Sequence, residues 1–395
     1  MKIRRLDAHE RSTLSVPTQA YCFQPSPPTE GKLRQLHEDQ QYYKDNITLV
    51  GEDDGVVLAE ASAIPMRQNV RGSVYSMAGI AGVVAQPLAR RNGHVRAVLL
   101  ELLGQMRDEG HAVSALYPFR PSFYQRFGYA GVPQTRTVTF SPADLGPLLR
   151  ADLPGEITWE PVSSGYAAYR DFTQQLLEQR HGFSVHPDYR AVQLRDAGDL
   201  WLVTARAGRE VIGAVTYRIT GHGADLVADD LLLTDALSRA LILQFFARHV
   251  DQVARVKATI GAGETPELWA TDLATSTEST TSFPTASAPM VRVLSLTALQ
   301  GLPVGPAQAT VDIVDDPFIS GRYTLDGGDG ALDVTAERVL SPTATLTAAG
   351  FAGLVYGALG PDDVVVRGLG SVSADAFAGL SVLFPRLSPY LFARF

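Results

Sequence analysis

The sequence is poor in cysteine, in long apolar runs and in positive charge. Cys22 is the only cysteine among 395 residues, which excludes an internal disulfide and a cysteine-cluster metal site and suits a cytoplasmic location. Runs made only of apolar residues and glycine, such as Met77 to Ala85, are shorter than the ~20 residues of a membrane-spanning helix. The first residues also lack the apolar segment of a secretory signal.

Acidic residues outnumber basic ones, giving a net charge of −8 and a pI of about 5.5. This balance disfavours a broad nucleic-acid surface and mildly favours cationic or neutral partners. Hydrophobic residues make up 45% of the chain and charged residues 19%, which is typical of a folded protein. At ~150 residues per domain, the length predicts two or three domains.

The first part of the chain reads as mixed α/β. Strands are predicted over residues 47–50, 56–61, 75–85 and 113–117, and the Asp and Gly residues of 51–55 suit a hairpin turn. A helix is predicted over 91–109, because its apolar residues recur at alternating three- and four-residue spacing and Gly110 follows. The order is therefore hairpin, strand, helix, strand.

The middle of the chain repeats this order with little residue identity. Strands are predicted over 201–206, 211–219 and 229–233, followed by a helix over 234–253. Residues 271–288 are rich in Ser and Thr and are predicted to be a linker or surface loop. The last hundred residues predict a small α+β domain with strands at 291–296, 322–325, 331–334 and 364–367, and helices at 347–359 and 374–383.

The most informative stretch runs from Val83 to Arg96. A strand ends at Gln86-Pro87, and a basic turn containing Gly93 opens an amphipathic helix. Helix amino termini expose unpaired N–H groups and a partial positive charge, so such a turn binds phosphate readily. The alternative is an ordinary strand-to-helix turn with solvated arginines.

This stretch resembles the acetyl-coenzyme A site of the GNAT N-acetyltransferase superfamily, whose turn reads Arg/Gln-x-x-Gly-x-Gly/Ala. Here it reads Arg-Arg-Asn-Gly-His-Val over residues 90–95, and Val95 replaces the small residue of the general pattern. The bulkier form is similar to that of the enhanced intracellular survival (Eis) family, which has Arg-Arg-x-Gly-x-x-Arg after a Val-x-x-Pro strand end. Arg96 supplies the final arginine.

A second segment also resembles the Eis family. Residues 123–129 read Phe-Tyr-Gln-Arg-Phe-Gly-Tyr, similar to the family's Tyr-x-Arg-Phe-Gly-Tyr segment. The resemblance covers the whole chain and implies two tandem GNAT-like domains and a sterol-carrier-protein-like domain, in a mixed α/β and α+β fold. The boundaries are 1–148, 149–287 and 288–395. It also implies a homo-oligomer, namely a hexamer.

The resemblance implies roles for individual residues. The residues implied to bind acetyl-coenzyme A are Val83, Val84, Ala85, Arg90, Arg91, Asn92, Gly93, His94, Val95, Arg96, Phe119 and Arg120. Tyr124 is implied to be the general acid that protonates the departing thiolate; the alternative is a core tyrosine among aromatic neighbours. Tyr129 has similar neighbours and is interpreted as structural.

The general base implied by the resemblance is the terminal carboxylate of Phe395. Such a group is a weak base unless burial raises its pKa, and Leu391, Phe392 and the Phe395 ring offer apolar surface. The alternative is a frayed end. Arg394 would lower the basicity unless it points to solvent or to another partner.

Other candidate residues give weaker indications of a functional site. His181 and His186 are poorly spaced as metal ligands and are interpreted as surface residues. The aspartates between Asp225 and Asp235 lack a calcium-loop pattern and are expected to cap the next helix. That helix follows no basic turn, so the second domain is expected to bind no coenzyme A. Nothing beside Cys22 in the sequence would stabilise a thiolate nucleophile, and no metal is expected.

The resemblance thus implies an acetyl-coenzyme A-dependent N-acetyltransferase acting on amines of the aminoglycoside or lysine kind. The amine would attack directly in a ternary complex, and the second domain would shape the acceptor cleft. The alternative is a lipid- or small-molecule-binding protein with a vestigial acetyl-coenzyme A site.

Overall fold

The computed structural model describes residues 1–336 and 342–395, and these residues form two compact units. Unit 1 contains Met1–Val132, His181–Ala191 and Phe283–Phe395, and unit 2 contains Pro133–Arg180 and Val192–Ser282.

The strands of the described residues are numbered in chain order. They are β1 (Lys2–Arg5), β2 (Ile47–Asp53), β3 (Val56–Val70), β4 (Ser73–Ala85), β5 (Val113–Leu116), β6 (Ala130–Gly131), β7 (Arg136–Phe140), β8 (Glu156–Pro161), β9 (Ser184–Val185), β10 (Trp201–Ala207), β11 (Glu210–Ile219), β12 (Leu226–Asp230), β13 (Leu232–Leu233), β14 (Val256–Ile260), β15 (Thr275–Glu278), β16 (Met290–Val293), β17 (Gln308–Val314), β18 (Gly321–Asp326), β19 (Asp333–Ala336), β20 (Ala344–Thr347) and β21 (Gly370–Val372).

The α-helices are numbered in the same way. They are α1 (Ala8–Glu10), α2 (Val16–Phe23), α3 (Glu30–Glu38), α4 (His94–Asp108), α5 (Pro121–Gln125), α6 (Val162–Gln179), α7 (Asp188–Asp196), α8 (Ala236–Ala247), α9 (Ala348–Val355), α10 (Pro361–Val366) and α11 (Ala374–Leu383).

Unit 1 contains a sheet in the order β1-β2-β3-β4-β5-β16-β6, with β9 paired to β3. Strands β1 to β4 are antiparallel neighbours, and β5 lies parallel to β4 after the crossover helix α4. One face of α4 is fully buried, including Val98, Leu102 and Met106, so the predicted apolar stripe is the face that packs against the sheet.

Unit 2 contains a sheet in the order β15-β7-β14-β12-β11-β10-β8, with β13 paired to β11. Strands β8, β10, β11 and β12 are antiparallel neighbours, and β14 lies parallel to β12 after helix α8. The predicted repetition of hairpin, strand, helix and strand is confirmed, because both sheets have this connectivity.

The last third of the chain forms a five-stranded sheet, β19-β18-β17-β20-β21, with helices α9 to α11. Strand β16, which was predicted as part of this domain, instead lies between β5 and β6 in the first sheet of unit 1. The two sheets of unit 1 also share a continuous buried core, in which Met66 of β3 and Phe351 of α9 both take part.

Three local predictions are wrong. The predicted strand at 364–367 lies mostly in α10, because Pro361 opens a helix and Asp363 accepts a hydrogen bond from the Gly360 N–H; a short valine run does not distinguish helix from strand. The predicted strand at 229–233 is two strands, β12 and β13, separated at Leu231. The predicted linker at 271–288 contains β15, which pairs with β7.

Candidate active site

The carboxyl-terminal half of β4 leaves the regular ladder. Its parallel pairing with β5 ends at Ile80, opposite Leu116. On the other side, Gly82 and Val83 oppose the single residue Ala61 of β3, which is a β-bulge, and Gly82 has φ of +58°. Backbone groups beyond Ile80 on the β5 side are therefore available to a bound molecule.

The turn after β4 leads into an uncapped helix. Residues Pro87–Ala89 form one 3-10 turn, and Gly93 precedes α4 in a left-handed conformation with φ of +82°. No side chain caps the first turn of α4, and a Cβ on Gly93 would meet no atom within 4 Å. The first N–H groups of α4 thus point to open space, where the helix dipole favours an anion.

A cavity of about 600 Å³ lies in front of this turn and is called the cofactor cavity. Its lining residues are Cys22, Val83, Val84, Ala85, Ala89, Arg90, Arg91, Gly93, His94, Val95, Arg96, Phe119, Phe123 and Pro284. Ten of the twelve residues predicted to bind the cofactor are therefore brought together. Asn92 and Arg120 do not line the cavity.

Cys22 lines the cofactor cavity but was not predicted there. Its Sγ lies 3.9 Å from Nη2 of Arg90, whose guanidinium also lies over the ring of Tyr21 at 5.8 Å. This arginine comes from a turn 68 residues away in the sequence. No local pattern signals this contact.

Tyr124 lies on α5 within an aromatic cluster. The side chain is 3% exposed, and its ring centroid lies 5.5 Å from Phe119, 5.0 Å from Phe123 and 6.2 Å from Tyr129. Burial, with a smaller effect of Tyr129, raises the pKa of Tyr124 far above that of an ordinary phenol. Within residues 1–336 and 342–395 its hydroxyl has no hydrogen-bond partner, so it can bond to a bound molecule.

Tyr129 has a different environment. Its hydroxyl lies 2.7 Å from Oγ of Ser114, which in turn donates to the carbonyl of Ala78. Burial raises the pKa of Tyr129 to about 12. These contacts inside the sheet agree with the interpretation of Tyr129 as structural.

A second cavity, of about 330 Å³, is called the acceptor cavity. Its lining residues are Gln19, Phe23, Tyr43, Asn46, Ser62, Ile64, Ile80, Ala81, Gly82, Val83, Tyr117, Phe119, Tyr124, Arg190, Pro284 and Phe395. It shares Val83, Phe119 and Pro284 with the cofactor cavity. Tyr124 and Phe395, 271 residues apart in sequence, both line it.

The last residues are packed into the fold. The ring of Phe395 lies edge-on to Tyr117 at 5.6 Å and against Gly79, and Phe392 stacks on Phe183 at 4.6 Å. Leu391 and Ala393 are buried, whereas the Arg394 side chain is exposed. The frayed-end alternative therefore does not describe this structure.

His181 and His186, predicted to be surface residues, are partly exposed, and both imidazoles are hydrogen-bonded. Nδ1 of His181 accepts a hydrogen bond from the Arg71 N–H, and its Nε2 donates to the carbonyl of Tyr356. Nε2 of His186 donates to the carbonyl of Arg394 at 3.1 Å. Burial lowers the pKa of each imidazole to about 4, so both are neutral near pH 7. The imidazole of His186 and the backbone carbonyl of His181, which accepts a hydrogen bond from the Tyr390 N–H, hold the carboxyl-terminal segment.

Sequence reasoning also missed Glu60 on β3. Its side chain is fully buried, and Oε1 accepts hydrogen bonds of 2.6 Å from Ser15 and from Gln19. Oε2 has no partner among the described residues. Burial raises the pKa of Glu60 to about 7. A single glutamate among the apolar residues of a predicted strand is the sequence feature that could have indicated a buried carboxyl group.

The remaining predictions concern unit 2 and metals. Asp235 caps α8 as expected, because its side chain accepts from the Ser238 N–H at 2.7 Å. A carboxylate thus occupies the helix end that corresponds to the uncapped end of α4. In the described part of the chain, no group of three or more His, Cys, Asp or Glu residues is placed to hold a metal. None of the described helices is long and apolar enough to cross a membrane.

Comparison with known proteins assigns a class to this geometry. Residues 2–132 match the family model described as an acetyltransferase (GNAT) domain. This part of the chain is a GNAT acetyltransferase domain, and the predicted enzyme class is confirmed. Among curated proteins no match to the chain is found.

Solved structures extend the likeness of fold to the whole chain. It is similar to GCN5-related N-acetyltransferases from Kribbella flavida (21% identity, TM-score 0.82, covering 100% of this chain and 98% of that one) and Anabaena variabilis (17% identity, TM-score 0.83, covering 100% of both). It is also similar to Eis1 from Mycobacterium abscessus (18% identity, TM-score 0.78, covering 100% of both). The predicted mixed α/β fold of the tandem-GNAT kind is confirmed.

Proposed function

We propose that this protein is an acetyl-coenzyme A-dependent N-acetyltransferase that acts on amines. The observation that carries the proposal is the meeting of two cavities at Val83 and Phe119. One cavity lies at an uncapped helix end, and the other is lined by Tyr124 and Phe395. Acetyl transfer needs a place for each reactant and a donor and an acceptor for protons between them.

The residues around the cofactor cavity fit acetyl-coenzyme A. The left-handed Gly93 leaves room for a pyrophosphate at the free N–H groups of α4, and Arg90, Arg91 and Arg96 add positive charge. Val83, Val84 and Ala85 offer backbone groups to the pantetheine and to the thioester carbonyl. Contacts of Asn92 and Arg120 with the cofactor are less well supported, because neither residue lines the cofactor cavity.

Tyr124 is proposed as the general acid. Its raised pKa keeps the phenol protonated in the resting enzyme, and its unpartnered hydroxyl is able to donate to a thiolate. The same burial that keeps the phenol protonated removes water from the place where the thiolate leaves.

The terminal carboxylate carried by Phe395 is proposed as the general base. Phe395 lines the acceptor cavity, and Leu391 and Ala393 in the segment before it are buried. The Arg394 side chain is exposed to solvent, where its charge is screened.

Direct transfer in a ternary complex is proposed over an acetyl-enzyme. Cys22 lies beside Arg90 but lines only the cofactor cavity. Tyr124, in contrast, lines the acceptor cavity, where the amine would attack the thioester directly.

Two measurements test the function. Acetyl-coenzyme A at 100 times its Kd is expected to stabilise the protein by about 2.7 kcal/mol in a thermal-shift experiment, and free thiol should be released only when an amine is added. A protein that responds to apolar ligands alone would instead be the binding protein of the alternative interpretation.

Three wider assignments are proposals that rest on the resemblance. They are the domain boundaries at 148 and 287, the sterol-carrier-like character of residues 288–395, and the cytoplasmic homohexamer. Analytical ultracentrifugation of the full chain would test the hexamer directly.

A further inference from the structure

The side chains that line the acceptor cavity carry a positive charge and no negative one, which is unexpected for an enzyme that binds cationic amines. Of its lining residues, all of which belong to the described part of the chain, Arg190 alone has a charged side chain. The other polar side chains are neutral, and six of the sixteen lining residues are aromatic. A polycationic acceptor would thus meet a positive charge, and the one carboxylate in the lining would be the terminal group of Phe395 that is proposed as the base.

The guanidinium of Arg190 is fixed in place but not fully bonded. It lies over the ring of Tyr43, 4.3 Å from the ring centroid. Its Nη1 is buried and has no hydrogen-bond partner within residues 1–336 and 342–395, where Arg190 also forms no ion pair. Stacking uses the face of the guanidinium, whereas hydrogen bonds leave from its edge, so Tyr43 orients Arg190 without occupying its donors.

Among the described residues, no ion pair neutralises this charge, and the terminal carboxylate of Phe395 is not bonded to Arg190. His186, four residues earlier, is neutral near pH 7 because its pKa is about 4. Glu60 is not part of the lining, and its Oε1 is already bonded to Ser15 and Gln19. A buried donor without an acceptor costs about 1–3 kcal/mol and a charged one costs more, so an anionic oxygen at this position would be favoured strongly.

We propose that the acceptor carries a single anionic group, of the carboxylate class, in addition to its amine, and that Arg190 binds this anion. The inference rests on the proposed acetyltransferase function. The aromatic wall favours an apolar body between the two charged ends, as in an apolar amino acid. Arg190 is therefore a specificity-determining residue that favours monoanionic amines over aminoglycoside-like polycations.

The test compares acceptors that differ only in charge. Thiol release is measured with phenylalanine and phenylalaninamide, with 6-aminohexanoate and 6-aminohexanamide, and with an aminoglycoside. We expect at least one carboxylate to exceed its amide in kcat/KM by about tenfold to a hundredfold, the range of a hydrogen bond between charged groups. A phosphonate analogue of the preferred acid shows whether the site requires a carboxylate or accepts any small anion.

Variants of Arg190 identify the residue responsible. In Arg190→Gln the ratio of acid to amide should fall to about one, mainly through KM, and Arg190→Lys should retain part of the preference. The thermal shift produced by acetyl-coenzyme A should be unchanged in both variants, because Arg190 does not line the cofactor cavity. This shift also shows that the variants are folded.

The outcomes separate this proposal from the one on which it rests. Preference for the amides or the aminoglycoside, or a ratio that survives Arg190→Gln, overturns the assignment of Arg190 while leaving an acetyltransferase. A failure to turn over any carboxylate-bearing amine also overturns it. If acetyl-coenzyme A neither stabilises the protein nor yields thiol with any amine, the acetyltransferase function itself is overturned.

Discussion

At the scale of the residue, the rings of Tyr124 and Tyr129 lie next to each other in the fold, 6.2 Å apart, but their hydroxyl groups have different surroundings. Tyr124 has a free hydroxyl in the acceptor cavity, whereas the hydroxyl of Tyr129 is bonded to Ser114 inside the sheet. Tyr124→Phe should lower turnover about 100-fold or more, the usual effect of removing a general acid, with acetyl-coenzyme A binding retained. Steady-state thiol release and calorimetric binding measure the two quantities.

Tyr129→Phe supplies the matched control for this prediction. It removes one phenol hydroxyl from the same aromatic cluster and should cost about 1 kcal/mol of stability while turnover remains. Deletion of Phe395 should reduce turnover as strongly as Tyr124→Phe does. Near-normal turnover in the Tyr124 or the Phe395 variant would remove the role proposed for that group.

Glu60 permits a prediction about pH. Its pKa is about 7 in the folded protein and ordinary in the unfolded chain, so the folded state binds the proton more tightly. The contribution of Glu60 to the free energy of unfolding should be largest below pH 4.5. It should decrease as the pH rises to about 7 and then stay constant, a total loss of about 3 kcal/mol. Glu60→Gln cannot ionise and should gain about this amount over the wild type at pH 8 and almost nothing at pH 4.5.

Urea unfolding at the two pH values measures this difference. The control is Glu101→Gln, which changes an exposed glutamate on α4 and should follow the wild type at both values. A Glu60→Gln difference that does not depend on pH would show that the native carboxyl is not held protonated.

At the scale of the element, helix α4 is bounded by two glycines whose substitution should affect stability equally but cofactor binding differently. Gly93 and Gly110 have φ of +82° and +92°, and a Cβ on either would meet no atom within 4 Å. Alanine at each position should therefore cost about 1 kcal/mol through backbone strain alone. Only Gly93→Ala should also weaken acetyl-coenzyme A binding, because only Gly93 lines the cofactor cavity.

Chemical unfolding and calorimetric titration of both variants check this expectation. We expect both variants to lose the same amount of stability and only Gly93→Ala to show a higher Kd for acetyl-coenzyme A. If both variants bind acetyl-coenzyme A as the wild type does, the amino end of α4 is not the pyrophosphate site.

At the scale of the whole molecule, the first sheet of unit 1 depends on a distant part of the chain. Strand β16 lies between β5 and β6, so residues 1–148 alone lack the strand to which both are paired. The fragment would also expose core residues of β3 that pack in the cluster shared with α9. An unpaired edge beside exposed apolar surface favours aggregation.

We therefore expect residues 1–148 to lack a cooperative thermal transition and to bind no acetyl-coenzyme A, in contrast to the full chain. Circular dichroism melting and calorimetry of the two proteins are the measurements. Cooperative unfolding of the fragment with cofactor binding would show that β16 is dispensable.

Several elements could be predicted from the sequence because their causes are local. The stripe of α4 has a helical period, Gly93 and Gly110 mark its ends, and α11 was predicted with its observed bounds. Where the local pattern was too short to be decisive, prediction failed. The valines of α10 were assigned to a strand because three residues have too short a period to distinguish the two structures.

By itself the sequence determined the basic turn before α4, the aromatic segment around Tyr124 and the repeated order of elements, since each depends on neighbours within a few turns of chain. Only the tertiary structure decided that β16 joins the first sheet, that His181 and His186 hold the carboxyl-terminal segment, and that Arg190 and Phe395 line one cavity. These contacts join residues far apart in sequence. They arise from burial and from the pairing of backbone groups across the whole chain, and no periodicity within a segment records them.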